Sequence, residues 1–330
     1  GYTEADEAYY QAVTDWFRKH YGWKAEAEWI IKTPGVVFAL AQAVKAFTEA
    51  GDGVLIQSPV YYPFYEVIRD NDRRIVENPL KLQNGHYKMD FEDLEKKLAG
   101  EKIKLMFLCS PHNPIGRVWT KDELRRIGEL IRKYQVILVS DEIHCDLVRP
   151  GFVHHVFSEA VPEAADQVLI CTAPSKTFNL AGLQVSNIFI KNPALRAKLK
   201  KEIDRAGYSQ LNMAGLIACK AAYQGGEEWL ADCKAYLWEN LDYLKSFVER
   251  HLKGVRLIEP EGTYFAWLDF SGTGMEQREL KDLILNKAKL WLDDGDIFGK
   301  TGFGFERLAY ACQRSTLEEA LQRLEKALHN

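Results

Sequence analysis

The chain has 330 residues, 47% of them hydrophobic and 27% charged, and its 43 Lys and Arg against 47 Asp and Glu leave a formal net charge of −4. That balance describes a globular chain long enough for a large core and two domains, without the basic surplus of a nucleic-acid binder. No apolar run approaches the roughly 18 residues of a membrane span, and "GYTEADEAYY" lacks the basic-then-apolar start of a signal peptide.

In chain order, Tyr9, Ala12, Val13, Trp16 and Phe17 recur at helical spacing and predict an amphipathic helix over about 4–20. "TPGVVFALAQAVKAFTEAGD" starts a helix at Thr33-Pro34-Gly35 and stops it at Gly51. Strands and helices then alternate. "GVLIQS" is a strand, "YYPFYEVIRDN" a helix, "RRIVENPL" a strand, "DFEDLEKKLAG" a helix and "IKLMFLCS" a strand. "TKDELRRIGELIRKY" is a helix opened by a capping box from Thr120 to Glu123. "QVILVSDE", "QVLICTAP" and "VSNIFI" are further strands, followed by the helix "NPALRAKLKKEIDRAG". Short apolar strands between helices predict a mostly parallel sheet covered on both faces, an α/β fold. The segment from about 212 to 252 is helix-rich. "VRLIEP", "TYFAWLDF", "AKLWLDD" and "FERLAYAC" then read as a more antiparallel section, with a helix after the second of them and a last one from Ser315. This shift sets the expected division: a large domain over 1–214 and a smaller α+β domain over 215–330. The six cysteines, 109, 145, 171, 219, 233 and 312, form no CxxC pair and no zinc spacing. They predict reduced, mostly buried thiols, no metal site and a cytoplasmic protein.

In an open α/β sheet, ligands bind beyond the carboxyl ends of the strands, and four polar groups fall at such ends. The amides of Gly35, Val36 and Val37 open a helix and could face an anion. Asn113 stands among the prolines of "CSPHNPIGR". Asp141 and Glu142 end the apolar run of "VILVSDE", where a buried carboxylate needs a partner. Lys176 is enclosed by the apolar sequence of "LICTAPSKTFNLAGLQ", where desolvation would lower its pKa and make the amine nucleophilic. Each has a plain alternative. Most glycine-containing helix starts bind nothing, an asparagine before proline is a turn residue, Asp141 could be a cap or a salt-bridge partner, and His144 a loop histidine.

Taken together, "TPGVV", "SPVYYPFY", "SPHNPIGR", "SDEIHCDL", "APSKTFNLAGLQ" and "RLAYACQRSTLEEAL" resemble the fold-type I, pyridoxal-phosphate-dependent class I/II aminotransferase superfamily, and within it the cystathionine β-lyase type of C–S lyase. The resemblance runs over essentially the whole chain. It implies the aspartate aminotransferase-like fold, pyridoxal 5'-phosphate as cofactor, and a homodimer. Lys176 would carry the cofactor as a Schiff base and then act as general base. Asp141 would pair with the ring nitrogen and Asn113 with the ring's phenolic oxygen, while Tyr61 would stack on the ring and lie near the leaving sulfur. Ser175 and the amides of Gly35, Val36 and Val37 would hold the phosphate, joined by Tyr2 of "GYTE" reaching across a dimer interface. Arg307 would grip the substrate α-carboxylate with a bidentate fork. His144 stands where many aminotransferases have tyrosine, as in the lyase branch, and is expected to orient the ring oxygen or Asn113. Gln184 stands where many members have a phosphate-binding arginine. Members also carry several dozen residues ahead of the point matched by "GYTE".

The expected reaction is β-elimination from cystathionine or a related cysteine S-conjugate, giving pyruvate, ammonia and a thiol. Amino transfer is the rival from the same family. A third reading, from another class, is a non-catalytic cofactor-binding regulator acting through protein–protein contact.

Overall fold

The computed structural model describes residues 3–329. Tyr2 lies outside them. Helix α1 spans Glu7–Tyr21, entered through an Asp6 side chain that accepts the Tyr9 amide and left through Gly22 at φ 66°. The five residues that predicted it are all buried. The central sheet is built from β1 (Ile30–Thr33), β2 (Gly53–Ile56) and β3 (Arg74–Glu77). Between the last of these and the next sheet strand lies a hairpin of β4 (Lys81–Gln83) and β5 (His86–Lys88). The sheet then takes β6 (Ile103–Cys109), β7 (Ile137–Asp141), β8 (Val168–Thr172) and β9 (Ser186–Phe189). Its spatial order is β1-β9-β8-β7-β6-β2-β3, with β9 antiparallel to both neighbours and every other pair parallel.

Alternation along the strands sorts side chains into two cores. Met106, Leu108, Leu138 and Ile170 face one side; Leu105, Phe107, Val139 and Leu169 face the other. Helices α2 (Val36–Phe47) and α3 (Pro63–Arg69) cover the second side. The first side is covered by α1, α4 (Phe91–Gly100) and α5 (Lys121–Tyr134), whose capping box between Thr120 and Glu123 is formed. Each fully buried Leu, Ile, Val or Phe contributes roughly 1.5–3 kcal/mol, so the strands are fixed deep in the molecule and their ends become rigid mounts.

The chain continues through the short α6 (Phe157–Ala160), the single turn α7 (Pro174–Thr177), α8 (Pro193–Arg205), α9 (Met213–Gly225) and the long α10 (Glu227–His251). An antiparallel sheet follows, in the order β10 (Arg256–Ile258), β11 (Phe265–Asp269), β13 (Phe305–Ala309), β12 (Asp293–Asp294). It is accompanied by α11 (Gln277–Asp282) and α12 (Arg314–His329).

The structure corrects several sequence expectations. Helix α2 ends at Phe47 rather than Gly51, because Thr48 already has extended backbone. The expected strand over 288–294 shrinks to Asp293–Asp294: Lys289 takes φ 54°, and Trp291 is 92% exposed. Strand β1 was not expected. Nor was the β4–β5 hairpin, although Asn84-Gly85, with φ 52° and 76°, is the turn such hairpins favour. All six cysteines are free, and 109, 145, 171 and 219 are buried as expected.

One buried acid outside the cavity described below gives a pH prediction. Glu306 is fully buried with both carboxyl oxygens unpartnered among the described residues. Asp294 lies opposite it in the strand pair, and Lys281 pairs with Asp294 at 3.2 Å and Asp296 at 2.8 Å. Burial first, then the charges of Asp294 and Asp296, push Glu306 up to about 8 from 4.5. A raised folded-state pKa gives stability that is full below the unfolded value and is lost as pH rises through the folded one. Glu306→Gln, a neutral mimic, should therefore gain Tm relative to the parent between pH 5 and 9. A Tm difference that does not change with pH would contradict this.

Candidate active site

Five chain segments leave the sheet at one edge and enclose a cavity of about 440 Å³. Gly35 follows β1, Tyr61 follows β2, Asn113 follows β6, Asp141 ends β7, and Ser175 and Lys176 follow β8. Arg307 and Phe265 close the cavity from the second sheet, and Val36, Val37, His144 and Gln184 complete the wall. The residues expected to hold cofactor and substrate therefore meet in one place, apart from Tyr2, which lies outside the described residues; Glu142 turns away, its carboxylate bonded to Ser140, His154 and the Phe157 amide.

Gly35 caps α2 at φ 103°, a conformation that side-chain-bearing residues rarely adopt, and no side chain caps this helix. The first-turn amides, which have no intrahelical acceptors, are thus left toward the cavity. Such a helix start favours an anion.

Asp141 is held by strand register, with Cys109 on one side and Cys171 on the other. Its Oδ1 accepts the Ile143 amide at 3.2 Å. Burial pushes its pKa up to about 7, opposed by the Ile143 amide and by the Lys176 charge. A positive group placed beside this buried carboxylate would make it cheaper to ionise.

Lys176 sits on the single turn α7 and makes no hydrogen bond or ion pair among the described residues. Burial lowers its pKa, the Arg307 charge adds to that, and Asp141 opposes it. An amine so placed is more often uncharged and nucleophilic than a surface lysine. Thr177, the next residue, donates to buried Asp146 at 2.6 Å, and Asp146 also accepts from Trp16 at 3.0 Å and Tyr21 at 2.6 Å. These three donors tie the lysine turn to α1.

Asn113 Oδ1 accepts from Arg307 Nη1 at 2.7 Å. That fixes the amide orientation and leaves the Asn113 Nδ2–H groups as its offer to the cavity. The loop beyond it is pinned at Gly116, whose carbonyl accepts the amides of Glu261 and Gly262, each at 2.9 Å. An added Cβ there would lie 2.4 Å from Pro260. Buried Arg117 braces the same loop, bonding Glu261 and both oxygens of Glu123.

Tyr61 lines the cavity, and its phenol is pushed up to about 12 by burial and then by the Asp141 charge, so it is neutral at pH 7. His144 was expected to orient the ring oxygen or Asn113; among the described residues it makes no hydrogen bond to Asn113, whose Oδ1 accepts from Arg307. Its ring packs edge-on against Tyr264 and Phe265, its Nδ1 is buried without a partner among the described residues, and burial with the Lys176 and Arg307 charges lowers its pKa to about 3. It is a neutral imidazole.

Sequence reasoning missed two contributors. Asp293 bonds Arg307 at 3.0 Å and 2.6 Å. His112 bonds the Pro59 carbonyl at 2.8 Å through a ring N–H, joining the Tyr61 loop to the Asn113 loop. No local pattern marks either one, since both act through contacts distant in sequence.

As a donor set the cavity offers a nucleophilic amine, a buried carboxylate, an amide donor, an aromatic face and a helix N-terminus. These are the partners that an aldehyde, a ring nitrogen, a ring hydroxyl, a flat heterocycle and a phosphate require, so the residues present fit pyridoxal phosphate. No group of three or more His, Cys, Asp or Glu side chains among the described residues could hold a metal ion.

The chain is similar to known proteins along nearly its whole length. It is 43% identical to cystathionine beta-lyase PatB of Bacillus subtilis (strain 168) over 328 residues, covering 99% of this chain and 85% of that one. The crystal structure of cystalysin from Treponema denticola, which contains a pyridoxal 5'-phosphate cofactor, superposes with a TM-score of 0.98 at 41% identity, covering 100% and 84% of the two chains. The PLP-bound C–S lyase from Staphylococcus hominis gives 0.93 at 34% identity, over 100% and 84%. The model of the family described as aminotransferase class I and II matches residues 1–324, and this chain belongs to that family.

Proposed function

We propose that the protein is a pyridoxal-phosphate-dependent carbon–sulfur β-lyase that cleaves cystathionine or a related cysteine S-conjugate to pyruvate, ammonia and a thiol. The observation that carries the proposal is the convergence of Lys176, Asp141, Asn113 and Arg307 on one cavity, in a chain 43% identical to a cystathionine β-lyase. Lys176 would hold the cofactor's aldehyde carbon, Asp141 its ring nitrogen, Asn113 Nδ2 its ring hydroxyl and Tyr61 its ring face. Ser175 and the amides of Gly35, Val36 and Val37 would hold its phosphate. When bound, the cofactor supplies a cationic ring that stabilises negative charge at the substrate Cα.

The protein's own groups do the rest. Arg307 receives the α-carboxylate and orients the amino acid. The Lys176 amine, whose pKa burial lowers and so shifts toward the free base, takes the Cα proton. The electron pair of that C–H bond becomes the Cα=Cβ bond as the Cβ–S bond breaks, and the thiolate leaves with the sulfur's electrons. The neutral Tyr61 phenol, which lines the cavity, would give the thiolate its proton. The resulting 2-aminoacrylate adds water and releases ammonia and pyruvate, so one thiol, one pyruvate and one ammonia balance one conjugate and one water.

A homodimer with Tyr2 reaching the partner's phosphate site, a cytoplasmic location supported by six free cysteines, and a division into 1–214 and 215–330 belong to the same proposal. No helix among the described residues is long and apolar enough to cross a membrane.

The test is product stoichiometry. Cystathionine or S-ethylcysteine should yield equal thiol, pyruvate and ammonia with no keto acid present, and alanine should yield none. If amino transfer to an added keto acid outruns thiol release, the protein is an aminotransferase. If neither occurs in the cofactor-loaded dimer, the regulator reading replaces both.

A further inference from the structure

Arg307 is 8% exposed, and its guanidinium is held on three sides. Strand β12 sets Asp293 directly opposite it, and Asp293 Oδ2 accepts from Nε at 3.0 Å and from Nη2 at 2.6 Å. Asn113 Oδ1 takes one N–H of Nη1 at 2.7 Å. The rings of Phe265 and Phe298 lie 4.1 Å and 4.7 Å from the guanidinium carbon. Phe298 is itself fastened to the Tyr61 loop, because its carbonyl accepts the Val60 amide at 3.0 Å and the Tyr65 hydroxyl at 3.1 Å. One N–H on each terminal nitrogen is left, which matches the two oxygens of one carboxylate.

We propose that Asp293 is a positioning residue for substrate recognition: by occupying the Nε and Nη2 donors of Arg307 it fixes the rotation of the guanidinium, so that the two remaining N–H groups meet the α-carboxylate. The aromatic contacts restrain the guanidinium plane but not its rotation within that plane. Asp293 and Asn113 supply that restraint, and among the described residues Asp293 alone supplies a counter-charge, which a nearly buried cation needs when no substrate is bound. The strand pairing explains how a residue 14 positions away reaches Arg307: β12 consists only of Asp293–Asp294, set in register by β13. The inference rests on Arg307 receiving the α-carboxylate, as proposed above.

The test uses the cofactor-loaded protein and two probes that bind without elimination: glycine, which carries an α-carboxylate, and methylamine, which lacks one. Affinities are read from the cofactor absorbance. Asp293→Ala should weaken glycine about ten-fold or more, the size of one charge-assisted contact, and leave methylamine unchanged. KM for S-ethylcysteine should rise by a similar factor with kcat much less affected. Asp293→Asn, which keeps an acceptor but no charge, should fall between the parent and Asp293→Ala, and it takes over the test if the alanine variant does not fold. Equal weakening of both probes, or no change in glycine affinity, would overturn the proposal. Arg307→Lys separates the two readings. If it weakens glycine while Asp293→Ala does not, only the positioning role falls; if it too leaves glycine unchanged, the carboxylate assignment falls with it.

Discussion

Lys176→Ala should lower turnover by at least about 10³-fold without lowering Tm appreciably. A general base contributes about 10²–10⁴ in rate, and no other amine among the described residues lines the cavity to take its place. The stability side follows from its surroundings. The Lys176 side chain forms no hydrogen bond or ion pair among the described residues, and burial already disfavours its charge, so its removal relieves desolvation and sacrifices only its attraction to Asp141. Circular dichroism and thermal melting report the fold, and single-turnover kinetics report Cα proton removal. A variant that melted normally and kept more than a tenth of parental turnover would show that the amine is not the base.

The second large effect is at Asp141. Asp141→Asn keeps the size of the side chain and an acceptor for the Ile143 amide, but it cannot hold a proton on a ring nitrogen. Turnover should fall by about 10²–10³-fold or more, the scale of losing one preorganised electrostatic contact to developing charge. Stability should move the other way. Burial raises Asp141 to about 7 from 3.8 in the cofactor-free protein. A raised folded pKa means stability that is full below the unfolded value and is lost as pH rises through about 7. At pH 8 the cofactor-free asparagine variant should thus melt above the parent, and near pH 4 the difference should vanish. A structural cap behaves oppositely: its replacement would lower Tm and spare turnover. Measuring both quantities on one variant separates the two roles.

Lys176 and Asp141 were legible because each is a charged residue ending an apolar run, and burial physics makes such a residue demand a partner. The parallel core was legible for the same reason, since strands buried on both faces read as unbroken apolar segments. The direction of β9 was not. "VSNIFI" has the same apolar pattern in either orientation, and only its pairing with β8 and β1 fixes the antiparallel sense. Asp293 was misread as part of a longer strand, because Leu290 and Trp291 resemble strand residues while Lys289 turns the backbone away. Its partnership with Arg307 is written in the register of β12 on β13, which no local window contains. His144 was recognised from its place in "DEIH", but its surroundings, Tyr264 and Phe265, come from a distant strand and the turn before it.

The site stands or falls on whether Lys176 bears the cofactor. Borohydride reduction of the pyridoxal-phosphate-loaded protein, followed by proteolysis and peptide sequencing, asks this directly. The geometry predicts a stable cofactor adduct on the peptide containing "APSKTFN", at Lys176, with activity lost in step with labelling. A label on any other lysine, or full labelling with activity retained, would contradict it.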